Sequence, residues 1–147
     1  MKFVGEGALK NSLEQQAENF DNIKFSSYLD DKEYYKELDS ANVLLVSLEE
    51  NLSGMAVPSK FYTYLSTGKP ILCISDSNTE MAMIIKEYNC GFVINHNDIE
   101  SFNNYLNLLK KSTELRNEMG KNGYKAYVEN YKKEDIIKKY EDLFENL

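Results

Sequence analysis

The chain has 147 residues, of which 42% are hydrophobic and 28% charged, and its formal net charge is −7. This length suits one domain, with a core that buries about two-thirds of the surface of the unfolded chain. No apolar run is long enough for a transmembrane helix, and the first residues contain no apolar signal stretch. The excess of acidic side chains argues against nucleic acid as a partner.

Two cysteines and one histidine limit the redox and metal chemistry that the chain can carry. Cys73 and Cys90 lie inside apolar stretches, which predicts buried, reduced thiols in a cytoplasmic protein. Because His96 is the single histidine and no Cys-x-x-Cys pair occurs, no metal site is expected. We interpret His96 as a loop histidine.

Short apolar runs alternate with segments of helical periodicity. The predicted strands cover residues 3–4, 23–25, 43–46, 71–74 and 91–94. Helices are predicted after each strand, with caps at Asp30, Ser77 and Asn97 and with Pro58 in a first helical position. The C-terminal tail is predicted to be helical throughout, and its last segment is amphipathic.

This order predicts an α/β fold: a Rossmann-like parallel sheet with helices on both faces, connected by right-handed crossovers, and a helical C-terminal tail. We expect residues 1–131 to form the Rossmann-like domain and residues 132–147 to form an amphipathic helix that packs on it. Ligands of such folds bind beyond the carboxyl ends of the strands. The loops that follow the strands are therefore the candidate sites.

The first of these loops contains Gly5 and Gly7. Glycines between a strand and a helix let the backbone approach a phosphate. The complete dinucleotide fingerprint is absent, since its next glycine position holds Lys10. A tight turn without a ligand explains the same glycines.

The richest loop follows the predicted strand at residues 43–46. Ser53 and Gly54, then Pro58, Ser59 and Lys60, flank the start of a predicted helix. Backbone amides, a hydroxyl and an ammonium group would meet there, which is suitable for holding a diphosphate. A helix N-terminus with a solvated lysine is the alternative interpretation.

Residues 57–71 read V-P-S-K-F-Y-T-Y-L-S-T-G-K-P-I. This segment resembles the nucleotide-sugar-binding segment of GT-B family 4 glycosyltransferases, especially the bacterial branch that builds capsule, O-antigen and colanic-acid polysaccharides. The first glycine loop, residues 90–93 and residues 115–120 are also similar, so the resemblance covers nearly the whole chain. It implies the C-terminal half of a GT-B fold.

The resemblance also implies a binding site. Tyr28 and Leu29 would contact the base, whereas Met55 and Thr63 occupy the positions of two glutamates that many family members carry. Thr63 could still hydrogen-bond a hydroxyl group, though less strongly than a carboxylate. No catalytic residue is assigned, and the implied substrate-binding residues are Gly5, Gly7, Tyr28, Leu29, Ser53, Gly54, Met55, Val57, Pro58, Ser59, Lys60 and Thr63.

The function that the resemblance implies is the binding of a nucleotide-sugar, a UDP-sugar in particular, for surface polysaccharide biosynthesis. Joined to an N-terminal acceptor domain, in cis or in trans, the chain would act as a retaining hexosyltransferase; alone it is expected to be incomplete for catalysis. The nucleotide-sugar is a substrate, and no cofactor or metal is expected. Such a protein would be cytoplasmic or peripheral at the inner face of the membrane. Two alternatives stay open, namely a UDP-sugar 2-epimerase-like half and a non-catalytic partner module.

Overall fold

A computed structural model describes residues 1–50, 52 and 54–146. Two compact units divide the chain, Met1–Ser40 and Ala41–Leu147. Each unit is described by itself. The predicted domain boundary at residue 131 stays a prediction.

The Met1–Ser40 unit contains two strands and two helices. These are β1 (Lys2–Val4), α1 (Lys10–Gln16), β2 (Lys24–Ser26) and α2 (Asp31–Ser40). The strands pair in parallel, and the rings of Phe3 and Phe25 stack with their centroids 5.2 Å apart. The Asp30 carboxylate accepts a hydrogen bond from the Glu33 amide at 2.8 Å, which confirms the predicted cap of α2.

The Ala41–Leu147 unit contains three strands and five helices. They are β3 (Leu44–Ser47), α3 (Lys60–Ser66), β4 (Ile71–Ile74), α4 (Glu80–Tyr88), β5 (Gly91–Ile94), α5 (Ile99–Lys111), α6 (Thr113–Asn130) and α7 (Lys133–Glu145). The strands form a parallel sheet in the order β3-β4-β5. Leu44 lies opposite Ile71, and Ile71 lies opposite Gly91. The predicted α/β class with parallel strands is confirmed.

Both faces of this sheet are covered, as predicted. Alternate residues of a strand point to opposite faces, and β4 separates two apolar clusters accordingly. Ile71 and Cys73 belong to one cluster, together with buried residues of α3 and α4 such as Phe61. Leu72 belongs to the other, with Leu109 of α5 and with Met119 of α6. The β4 strand is thus buried on both sides, which explains its continuous apolar run.

Both cysteines are buried within this core and unpaired, as the sequence indicates. Burial raises the pKa of the Cys90 thiol to about 12 and raises the pKa of Cys73 as well. Both side chains are therefore neutral at physiological pH and pack as small apolar groups.

The helix caps of α4 and α5 differ from the predicted ones. Thr79, not Ser77, caps α4: its hydroxyl accepts a hydrogen bond from the Ala82 amide at 3.2 Å. Asp98, not Asn97, caps α5, whereas Asn97 adopts a positive φ of 63° in the preceding turn. Each helix begins later than the sequence pattern predicts, because several adjacent small polar residues can cap it and the end of the strand selects among them.

The last helix, α7, contains no buried residue. Its exposed apolar side chains include Ile137, Tyr140, Leu143 and Phe144. The expectation that it packs on the preceding domain stays a prediction. Among the described residues, no helix is long and apolar enough to span a membrane.

Candidate functional site

The loop after β3 begins at the carboxyl edge of the sheet and folds back over the core. The Leu48 amide donates a hydrogen bond to the Ile74 carbonyl at 3.0 Å, which extends the β3–β4 pairing by one residue. Leu52 and Val57 pack against the core cluster. Ser53, which the sequence assigns to the site, lies outside the described residues. Leu52 and Val57 therefore anchor the loop to the core.

A turn in this loop exposes Gly54 and Met55. The Met55 amide donates to the Leu52 carbonyl at 3.0 Å, and Gly54 has a φ of 77°, a conformation that favours glycine. The Met55 side chain is 70% exposed. This position, which holds a glutamate in many members of the resembled family, therefore presents an apolar side chain to solvent.

The helix α3 begins at Lys60, two residues after the predicted first helical residue Pro58. Its opening bond joins the Phe61 amide to the Pro58 carbonyl at 2.9 Å. Ser59 has helical backbone angles, and its side chain makes no capping hydrogen bond. Since Phe61 is fully buried, the core rather than a cap holds the first turn in place.

Lys60 and Thr63 lie three residues apart on α3 and so share one face of it. Lys60 and Ser59 are exposed, and Thr63 is half-buried. Within the part of the chain that the structure describes, no hydrogen bond or ion pair engages the side chain of Lys60 or of Thr63. An ammonium group and a hydroxyl group are therefore available for a ligand at this face.

The loop after β4 contains two buried hydroxyl groups that the sequence did not indicate. Ser75 and Thr79 are 0% and 3% exposed, and their oxygens lie 3.0 Å apart. Ser75 Oγ also lies 3.3 Å from Cys73 Sγ. In the sequence, the signal that could have indicated these hydroxyl groups is a run of small polar residues directly after a buried strand. These hydroxyls fix the start of α4 and are too buried to contact a ligand.

His96 follows β5, and β4 lies between that strand and β3. The histidine is half-buried in the loop before α5, as interpreted from the sequence, and its Nε2 atom is buried without a hydrogen-bond partner. Across residues 1–50, 52 and 54–146, no group of three or more His, Cys, Asp or Glu side chains could hold a metal ion.

Three side chains meet beside the first turn of α3. The Tyr62 hydroxyl donates a hydrogen bond to Glu80 Oε1 at 2.8 Å, and its ring centroid lies 5.0 Å from that of Tyr131. Burial, and then the hydrogen bond to Glu80, raises the pKa of Tyr62. The sequence missed this cluster because tyrosines at helical spacing are typical of ordinary packing.

The other predicted site residues lie in the Met1–Ser40 unit. Gly5 has a φ of 134°, and its amide donates to the Ser26 carbonyl at 3.0 Å. A Cβ atom on Gly5 would lie 4.0 Å from Tyr28 Cε1, so the structure brings these two predicted residues together. Tyr28 is 76% exposed. Leu29 is half-buried beside it, and Gly7 is exposed.

Lys10 holds the loop between these glycines. Its ammonium group donates to Glu6 Oε1 at 2.8 Å and to Ser27 Oγ at 3.3 Å. The hydrogen bond from Lys10, and then one from Ser27, lowers the pKa of Glu6. Lys10, which occupies the position of the fingerprint glycine, is the first residue of α1 and thus connects this helix to the loop.

Residues 1–126 match the protein-family model that is described as glycosyl transferases group 1. A similar curated protein is the probable glycosyltransferase WbjE of Pseudomonas aeruginosa, which is 34% identical over 98 residues. That match covers 65% of this chain and 24% of the relative. The chain thus spans about a quarter of the length of this relative.

Solved structures with a similar fold include a glycosyltransferase, a sucrose-phosphate synthase and TarM. WaaG, a glycosyltransferase involved in lipopolysaccharide biosynthesis, has a TM-score of 0.66 and 20% identity, covering 86% of this chain and 33% of that one. Sucrose-phosphate synthase of Thermosynechococcus elongatus has a TM-score of 0.80 and 15% identity, covering 99% and 37%. TarM has a TM-score of 0.71 and 17% identity, covering 97% and 28%. At these identities the likeness concerns the fold, which is that of one portion of each longer chain.

Proposed function

The chain belongs to the glycosyl transferases group 1 family, and we propose that it is the nucleotide-sugar-binding domain of an enzyme that builds a surface polysaccharide. The observation that carries the proposal is the face of α3 where the side chains of Lys60 and Thr63 have no hydrogen-bond or ion-pair partner among the described residues. The helix α3 follows the loop at the carboxyl end of β3, and ligands of such folds bind beyond the carboxyl ends of the strands. The relatives support the polysaccharide context, since WaaG is described as acting in lipopolysaccharide biosynthesis.

The proposed donor is a UDP-sugar, and its diphosphate is the group that Lys60 recognises. When the bond between the sugar and the diphosphate of the donor breaks, negative charge grows on the leaving diphosphate. An ammonium group beside backbone amides stabilises that charge. Gly54, Val57, Pro58 and Ser59 shape the loop around it, and no metal ion or cofactor is required by this arrangement.

In the Met1–Ser40 unit, the proposed ligand contacts are the Gly5 and Gly7 backbone and the Tyr28–Leu29 turn. The exposed Tyr28 ring offers an apolar face of the kind on which a nucleobase stacks. The adjacent Gly5 has no side chain between its backbone and a ligand. A nucleobase is the group that we expect the turn formed by Tyr28 and Leu29 to contact.

The acceptor is proposed to bind a second domain, supplied in cis or in trans. The chain spans 24% of WbjE and 33% of WaaG. With such a domain we expect retaining transfer of a hexosyl group, in the cytoplasm or at the inner face of the membrane. We therefore expect the catalytic groups that act on the acceptor to lie in that second domain.

Titration calorimetry with UDP tests the donor site directly. Replacing Lys60 by alanine should weaken binding about tenfold or more, because a hydrogen bond to a charged group contributes about 1.5–3 kcal/mol. Lys125→Ala is the matched control, since that lysine lies in an exposed i,i+4 pair with Glu129 at 3.8 Å. Equal UDP affinity of the Lys60 and Lys125 variants would refute the assignment.

A further inference from the structure

Tyr62 connects the first turn of α3 to two other helices. Its hydroxyl binds Glu80, the first residue of α4, and its ring contacts Tyr131, the C-cap residue of α6. The Tyr62 ring also lies edge-on to Phe61, with the centroids 5.6 Å apart. Three helix ends therefore meet at one half-buried phenol.

The electrostatics of this cluster keep the hydrogen bond intact. Glu80 lies in the first turn of α4, where the helix dipole stabilises a carboxylate. Burial raises the pKa of Tyr131, and the nearby charge of Glu80 raises it further. Because the pKa of Tyr62 is raised as well, both phenols are neutral near pH 7, and the Tyr62 hydroxyl donates a hydrogen bond to Glu80.

The first turn of α3 lacks the usual local support. The helix has seven residues, and its N-cap residue Ser59 makes no side-chain hydrogen bond. Short helices are marginal by themselves and depend on tertiary contacts. Phe61 and Leu65 supply those contacts towards the core, and Tyr62 supplies them towards the ends of α4 and α6.

We propose that Tyr62 is a positioning residue for the donor site: held by Glu80 and Tyr131, it fixes the orientation of the α3 first turn and hence the directions of Lys60 and Thr63. The inference rests on the proposed function for its ligand, but the mechanical part concerns the free protein. Tyr62 itself touches the protein, not the donor.

Amide hydrogen exchange of the whole chain without ligand tests the mechanical part. In Tyr62→Phe, which removes only the hydroxyl, the amides of α3 should exchange about threefold to tenfold faster, as expected for one lost hydrogen bond. Amides of β4 and β5 should be unchanged. Tyr105→Phe is the control, since that ring stacks on Phe92 on the other face of the sheet. Unchanged α3 exchange in Tyr62→Phe would overturn the proposal.

Titration with UDP tests the positioning role. Tyr62→Phe and Glu80→Ala should each weaken UDP binding about threefold to tenfold. Glu80→Gln, which keeps an oxygen acceptor for Tyr62, should restore most of the affinity, and Tyr105→Phe should not change it. Faster α3 exchange with unaltered UDP affinity would overturn the positioning role. If the original chain fails to bind UDP, the proposed function fails, whereas the exchange measurement still decides whether Tyr62 fixes α3.

Discussion

Single residues set how far this chain departs from the glycosyltransferase sequences it resembles. Met55 and Thr63 stand where many of those sequences have glutamates, and the structure leaves the Met55 side chain 70% exposed. Thr63 is three residues from Lys60 on the same face of α3. In the proposed site, a hydroxyl at this position would form a neutral hydrogen bond to a ribose hydroxyl, whereas a carboxylate would form a stronger, charge-assisted one.

Replacing Thr63 by glutamate should therefore raise the affinity for UDP, by about threefold to tenfold, through charge-assisted hydrogen bonds to the ribose. The measurement is calorimetric titration with UDP. The control ligand is 2′,3′-dideoxy-UDP, which lacks the hydroxyls and should show no gain. A gain that is equal for both nucleotides would mean that the ribose is not the group recognised at residue 63.

At the scale of secondary-structure elements, close packing of α6 on the end of α3 supports the segment that carries the site. Gly68 follows Thr67, the C-cap residue of α3, and has a φ of 67°. A Cβ atom on Gly120 of α6 would lie 1.9 Å from the Gly68 carbonyl oxygen. Only a glycine at residue 120 permits the two backbones to approach this closely.

Gly120→Ala should destabilise the chain by about 1–3 kcal/mol, because the added methyl group forces the backbones apart and this cost exceeds the gain in helix propensity. Gly123→Ala is the matched control on the same helix. Its Cβ atom would lie 3.4 Å from Cys90 Cβ, an ordinary contact, so we expect a neutral or slightly stabilising change. Urea unfolding measures both, and an equal effect of the two variants would contradict the role of Gly120.

At the scale of the whole molecule, the two compact units differ in how many of their apolar side chains are buried. In Met1–Ser40 only Leu38 is buried, although Leu9 and Leu13 recur at helical spacing. These two side chains are 70% and 44% exposed. The two-stranded sheet and short helices of this unit offer little apolar surface to cover them. The Ala41–Leu147 unit instead has clusters on both faces of its sheet.

This difference predicts unequal local stability. In native-state hydrogen exchange, the amides of β2 should be less protected than those of β4 by about tenfold or more, because local opening exposes little apolar surface in the first unit. Lys24 and Leu72 are suitable reporters, since the Lys24 amide donates a hydrogen bond to the Met1 carbonyl at 3.0 Å and Leu72 lies inside the β3–β4 ladder. Equal protection at the two positions would show that the units open together.

The sequence alone determined the fold class, the order of the strands and helices, and the segment that carries the candidate site. These features follow from local chemistry: apolar runs for buried strands, periodic apolar residues for helices, and glycine at the left-handed end of α3. The exposed Lys60 and the adjacent Gly5 and Tyr28 were also indicated, the latter two by resemblance. The roles of these residues in ligand binding stay predictions.

Only the tertiary structure decided which side chains support that segment. Contacts between Tyr62, Glu80 and Tyr131 join residues that are far apart along the chain, and no local pattern distinguishes such tyrosines from ordinary packing. The choice of Thr79 and Asp98 as caps likewise depends on where each strand ends in the sheet. Periodicity specifies which face of an element is apolar, but the neighbour that covers the face is set by the fold as a whole.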